Sequence, residues 1–301
     1  MSSELHPDDP NRHEPASSEE APLAPSPESS HQELSDQVSI LDEPSSGEPM
    51  FSTHGGPPQV SQTRAYPFWG WLDVFFFLVI LAAGVLAIGI VFAGILGGLY
   101  FAGVTMDAPM SPVQSGLLLQ FVLSVIALFM LSRLLRYRYQ AGLRETVQLL
   151  PIERLGIYAG LGLATAILVS VLSVVLRLQD MDMPMNELIK TDMDLILVGI
   201  AAFTFGPIVE ELIFRGFLQP LFVKTFGIAA GIAITSLIFA LPHGPQYGWH
   251  WQHLLVITVA GSVFGVIRWR SGSTTASTIA HATYNGVLVV GAFVQRMNGL
   301  G

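Results

Sequence analysis

The run Asp194-Leu-Ile-Leu-Val-Gly-Ile-Ala-Ala-Phe-Thr-Phe-Gly-Pro207-Ile-Val-Glu210-Glu211-Leu-Ile-Phe-Arg215-Gly-Phe217 is apolar along almost its whole length, yet two glutamates and an arginine sit inside it. A helix that crosses a bilayer needs about 20 mostly apolar residues. A charge at such a position is expensive, so ionisable side chains there mark function. Six further stretches of similar character lie at 71–102, 114–135, 155–178, 226–243, 252–269 and 274–295. The pattern predicts an all-α, polytopic transmembrane bundle of about seven spans. The glycines of the first stretch, Gly84, Gly89, Gly94, Gly97 and Gly98, offer close helix contacts.

Composition agrees. Of 301 residues 51% are hydrophobic and 12% charged, with a mean hydropathy of +0.53; a soluble domain carries about 25% charged residues. The net charge of −9 is localised. Residues 1–65 hold 12 acids and 2 bases, whereas 66–301 hold 11 acids and 12 bases. The first stretch is rich in Ser, Pro, Glu and Asp, has no apolar run and reads as a disordered tail, not a signal peptide. Nothing in the charge pattern suggests nucleic-acid binding. With no cysteine, thiol catalysis, disulfides and thiolate metal sites are excluded.

Basic residues alternate between the links. Arg133, Arg136, Arg138, Arg144 and Arg154 surround the link after the second stretch, Arg215 and Lys224 flank that after the fourth, and Arg268 and Arg270 precede that after the sixth. The opposite links are poor in Lys and Arg, and one is acidic, with Asp180, Asp182, Glu187, Asp192 and Asp194. The positive-inside rule then places the N-terminus in the cytoplasm, in a cell (inner) membrane. The basic segment 136–154 is expected along the interface or in solvent.

Successive helical residues lie about 100° apart, so Glu210 and Glu211 cannot address one point. Glu211 and Arg215 stand at i and i+4 in the favourable order, acid first. Glu210 is left on a stripe with Phe203, Pro207, Phe214 and Phe217, without an adjacent cation. Desolvation there should raise its pKa, as a general base or acid requires. A kink at Pro207 would let water approach.

His243 closes the fifth stretch behind Pro242. His281 lies on a polar stripe with Thr274, Ser277, Thr278 and Asn285, so a polar face turns inward within the last stretch. Asn285, one turn beyond His281, is placed to orient its ring or to bind a substrate carbonyl. His250 and His253 sit among tryptophans and read as boundary residues. The plainer reading of all these groups is polar contact between packed helices.

Three sets of positions resemble the motifs of the CPBP family, the CAAX proteases and bacteriocin-processing enzymes also called Abi proteins. Glu210, Glu211 and Arg215 match its first motif, Phe239 and His243 its second, His281 and Asn285 its last. The resemblance covers roughly 190–296 and implies an intramembrane endopeptidase, a hydrolase of the EC 3.4 class, acting on a membrane-associated protein or peptide. Its implied site is Glu210, Glu211, Arg215, His243, His281 and Asn285.

Two chemistries remain open. In one, His243, His281 and Glu210 hold a Zn²⁺ with water in its open position, as the family's metalloprotease label suggests. In the other, Glu210 takes a proton from water held by His243, while His281 and Asn285 support the oxyanion. No HExxH zinc motif and no G-x-S-x-G elbow occurs. From a turn near Lys224, Glu210 stands about 14 residues along its helix and His243 about 19 along the next. They meet only if tilt, a kink or a shifted turn absorbs the difference. A coupled transporter is the competing use of such groups, but the first three stretches hold no matching set. A non-catalytic scaffold or immunity protein that keeps the motif is the other.

Overall fold

A cis Tyr66-Pro67 bond precedes the first helix, and from there the chain is helical, with no strand among the described residues. The computed structural model describes residues 65–103, 111–178, 181 and 184–298. The expected tail, but for Ala65, lies outside them, as do Asp180 and Asp182 of the acidic link.

The elements run α1 (Trp71–Phe101), α2 (Pro112–Tyr139), α3 (Leu143–Thr146), α4 (Leu155–Val175), α5 (Pro184–Leu188), α6 (Asp192–Phe203) and α7 (Phe205–Glu211). A π-helical stretch, Leu212–Leu218, leads into α8 (Gln219–Phe226) and then α9 (Ile228–Ala240). A 3₁₀ turn, Leu241–Tyr247, precedes α10 (Trp251–Ser271) and α11 (Thr274–Met297). Among the described residues, seven helical segments are long and apolar enough to cross a membrane: α1, α2, α4, Asp192–Phe226, Ile228–Tyr247, α10 and α11. Their outer faces carry exposed apolar side chains, such as Leu86, Ile90 and Phe92 on α1 and Val174 and Val175 on α4. So much exposed apolar surface suits hydrocarbon, not water.

Local chemistry fixes the ends. Ser111 and Gln114 form a capping box at α2 with Pro112 in its first turn, and Thr191 and Asp194 form another at α6. The Ser111 hydroxyl also donates to Asp194 at 2.6 Å, tying the starts of α2 and α6 together. Gly227 (φ +81°) turns α8 into α9, and Gly272 (φ +67°) ends α10, both in the region that favours glycine. One apolar core joins Trp69, Phe77, Leu131, Leu135, Phe217 and Phe222. The other joins α4, α10 and α11 through Ala166, Val169, Ala260, Phe264 and Ala280. At Gly162 the α4 backbone lies so close to α11 that an added Cβ would stand 2.2 Å from the Ala280 carbonyl. Close approach of this kind is how membrane helices associate.

Four expectations need correction. The fourth span runs on to Phe226, so Arg215 lies inside it and does not flank a link. It is broken at Thr204 (φ −110°, ψ −93°), not kinked at Pro207, which takes its place in the first turn of α7 where a missing N–H costs nothing. The segment 136–154 is not all superficial: Thr146 and Val147 are fully buried, and Val147 packs where Gly216 leaves room. Of the glycines in α1, Gly84 meets Met130, while Gly89, Gly94, Gly97 and Gly98 face open space among the described residues.

Candidate active site

The shifted turn removes the mismatch of depth. Counted from Gly227, Glu210 lies 17 residues back and His243 16 residues on. Both glutamates stand at the end of α7, where the backbone widens into the π stretch that carries Arg215. Such π segments are rare and concentrate at functional sites.

Glu211 and Arg215 are both wholly enclosed, with Nη1 3.2 Å from Oε1. Arg215 Nη2 donates to the Gly261 carbonyl at 3.0 Å. The guanidinium lies 4.1 Å from the centre of the Phe239 ring. An ion pair taken out of water needs such extra partners to offset its desolvation. Gly261 makes the approach possible, since a Cβ there would stand 3.0 Å from Nη2 and 3.1 Å from Phe239. Among the described residues, Arg215 Nε has no hydrogen-bond partner.

His281 joins the two acids. Its Nδ1 lies 3.0 Å from Glu211 Oε1, and its Nε2 lies 3.8 Å from Glu210 Oε2. The two carboxylates diverge, as helical geometry requires, yet opposite edges of one imidazole reach both. Phe264 stacks on that ring at 4.5 Å, and Phe239 meets it edge-on at 5.8 Å. Glu210 differs from Glu211 in access: its side chain is 25% exposed, and that of Glu211 is 0%.

His243 sits where α9 tightens into the 3₁₀ turn. Its Nδ1 is 3.1 Å from the Phe239 carbonyl. A carbonyl only accepts, so Nδ1 carries the proton and Nε2 presents a lone pair. The ring lies 5.1 Å from that of Phe239. Phe239 therefore touches Arg215, His243 and His281 together. Asn285 is turned elsewhere: its Nδ2 donates to the Ala202 carbonyl at 2.7 Å, in the last turn of α6 beside the break. It makes no hydrogen bond to His281.

Among the described residues no group of three or more His, Asp or Glu side chains is gathered so as to hold a metal ion. Of the three suggested ligands, His281 Nε2 stands 3.8 Å from Glu210 Oε2, while His281 Nδ1 faces Glu211 and His243 Nδ1 faces the Phe239 carbonyl.

Three contributors escaped the sequence reading. Phe264 supports His281 from α10, and nothing in its apolar surroundings marks it. Tyr247 lies within electrostatic reach of Glu210 and stacks on His253 at 4.9 Å. His253 is thus buried in the first turn of α10, whereas Trp249 and Trp251 beside it are exposed. Gly261 could have been suspected only once its neighbour was known.

Residues 192–287 match the family model for type II CAAX prenyl endopeptidase, Rce1-like. No curated protein and no solved structure matches the chain. The match covers the elements from α6 into α11 and all seven motif positions, and it bears out the resemblance to the CPBP family. It supports intramembrane endopeptidase activity in general terms. With the seven apolar helices, it supports an integral, multi-pass membrane protein whose substrate is membrane-associated.

Proposed function

We propose that the chain hydrolyses a peptide bond of a membrane-associated protein or peptide by a metal-free water attack, with Glu210 as general base. The observation that carries this reading is the contrast between two adjacent carboxylates on one imidazole, one open to water and one sealed. Only Glu210 can take a proton from water. Glu211 and Arg215 are positioning residues that fix His281 through its Nδ1.

The steps balance. Water lies between Glu210 and the His243 Nε2 lone pair, and Glu210 removes one proton as the oxygen adds to the scissile carbonyl carbon. The resulting oxyanion receives a hydrogen bond from His281 Nε2 when that nitrogen is protonated. Protonated Glu210 then passes its proton to the amide nitrogen, and the C–N bond breaks. Asn285 serves the geometry by holding the break at Ala202. Reaching an oxyanion would require it to leave that carbonyl.

The domain of chemistry in this reading is about 190–296, with the N-terminal side of the bundle in the cytoplasm, as the basic links suggest. The test is cleavage of a mixture of peptides and membrane proteins by the purified chain, read by mass spectrometry of new termini. Wild type should generate termini that Glu210→Gln does not, and chelator should leave them in place. Loss of cleavage with chelator and its return with Zn²⁺ would replace this mechanism by the zinc one. Equal silence from two folded proteins would favour the scaffold.

A further inference from the structure

A cavity of about 410 Å³ opens at the end of the bundle that carries the start of α1, behind the Glu211–Arg215 pair. Three cations line it: Arg215, Lys224 and Arg268. Among the described residues no carboxylate lines it, and neither Lys224 nor Arg268 has one within 4.0 Å. Their hydrogen bonds go to neutral oxygens. Arg268 donates to Thr274 Oγ1 at 3.0 Å, Tyr66 Oη at 2.9 Å and Gln148 Oε1 at 2.8 Å, and Lys224 donates to the Pro67 carbonyl at 3.1 Å. Arg268 is 5% exposed, and no carboxylate among the described residues pairs with it directly, Glu211 acting on it only from farther away. Arg215, by contrast, is paired with Glu211, and its enclosed Nε has no hydrogen-bond partner among the described residues. A buried cation without a counter-ion is costly, and four segments of the chain converge to hold these cations in place.

We propose that this pocket binds the phosphate of an anionic phospholipid headgroup. Three features select a lipid over a free ion. The cavity lies at the ends of α8 and α10, where spanning helices emerge from hydrocarbon. Its lining is amphipathic, with Pro220, Val223 and Trp269 beside the cations. Trp269 is also half exposed with Arg270 over its ring, as at a membrane boundary. Basic pockets between spanning helices take such headgroups. Arg215 belongs to both sites, so the headgroup lies one guanidinium away from Glu211.

The test measures binding, so it stands or falls apart from cleavage. Full-length protein, stripped of lipid in neutral detergent, is titrated with phosphatidylglycerol, phosphatidylcholine or inorganic phosphate, and retained ligand is counted by native mass spectrometry. Wild type should retain phosphatidylglycerol in preference to phosphatidylcholine. Lys224→Gln should weaken that binding about fivefold, the contribution of one basic residue at a lipid surface, and Arg268→Gln at least as much. Lys224 is exposed, so its variant remains informative if Arg268→Gln does not fold. Equal retention of the two lipids, or unchanged affinity in Lys224→Gln, overturns the proposal. Inorganic phosphate binding as tightly as phosphatidylglycerol would assign the pocket to the free ion and overturn the lipid assignment.

Discussion

Replacing Arg215 by Met removes a guanidinium with no contact with water and strands Glu211, equally enclosed, with the His281 Nδ1–H as its hydrogen-bond donor. Removing one member of a buried pair costs about 3–5 kcal/mol, because the survivor's charge stays desolvated. The converse change, Glu211→Gln, is milder. Arg215 then keeps its bond to the Gly261 carbonyl and the face of Phe239. A desolvated cation–π contact is worth about 2 kcal/mol, so the loss falls to about 1–3 kcal/mol. The double variant strands nothing and should be more stable than the summed losses imply by about 2 kcal/mol or more. Unfolding in mixed micelles, followed by tryptophan fluorescence, measures all three. Trp69 is a suitable reporter, since it stacks on Phe217, two residues from Arg215, at 5.6 Å. Losses that add to within about 0.5 kcal/mol would show the two residues to be independent. The account of Glu211 as a carboxylate held by Arg215 would then be refuted.

Glu210→Gln should lower the cleavage rate by about 10²–10⁴-fold, the usual contribution of a general base, with the unfolding midpoint unchanged; a matching loss of stability would make Glu210 a packing residue. Gly162→Ala should cost about 1–3 kcal/mol by overpacking, since its Cβ would press on the carbonyl preceding His281; a neutral result would mean that α4 moves freely against α11. Burial pushes the Tyr66 hydroxyl up to about 12, against the opposing pull of Arg268. The folded state then holds its phenolic proton more tightly than the unfolded chain, so stability falls as pH rises from about 10 to about 12. Tyr66→Phe should flatten that fall, and parallel profiles would count against it.

Apolar run length made the seven spans legible, because the bilayer fixes how long such runs must be. Helix ends were less so. The fourth span was read as stopping at 217 because Gln219, Pro220 and Lys224 dilute its hydropathy, yet the chain continues as helix to Phe226. Gln219 is accommodated by a bond to the Gly265 carbonyl, a tertiary partner that no local pattern announces. The pairing of Glu211 with Arg215 followed from i, i+4 spacing. The bridging role of His281 did not, since it depends on how α11 lies against α7. The bond made by Asn285 was illegible for the same reason: one turn from His281, its amide donates to the Ala202 carbonyl beside the break in the neighbouring helix.

That break suggests why polar motif residues sit where they do. Around the site the backbone departs from α-helix three times, at Thr204, in the π stretch and in the 3₁₀ turn. In a bilayer no water meets the backbone groups such irregularities release, so the protein must supply partners. Asn285 takes the Ala202 carbonyl, Trp69 that of Phe217 and His243 that of Phe239. The last bond also leaves Nε2 of His243 free to accept from water. One side chain thus closes a backbone vacancy and sets its own tautomer for chemistry. A substitution at His243 or Asn285 therefore disturbs helix continuity as well as any reaction. Loss of activity there cannot by itself assign a catalytic role, whereas Glu210, which holds no backbone group in place, can be assigned by activity once folding is verified.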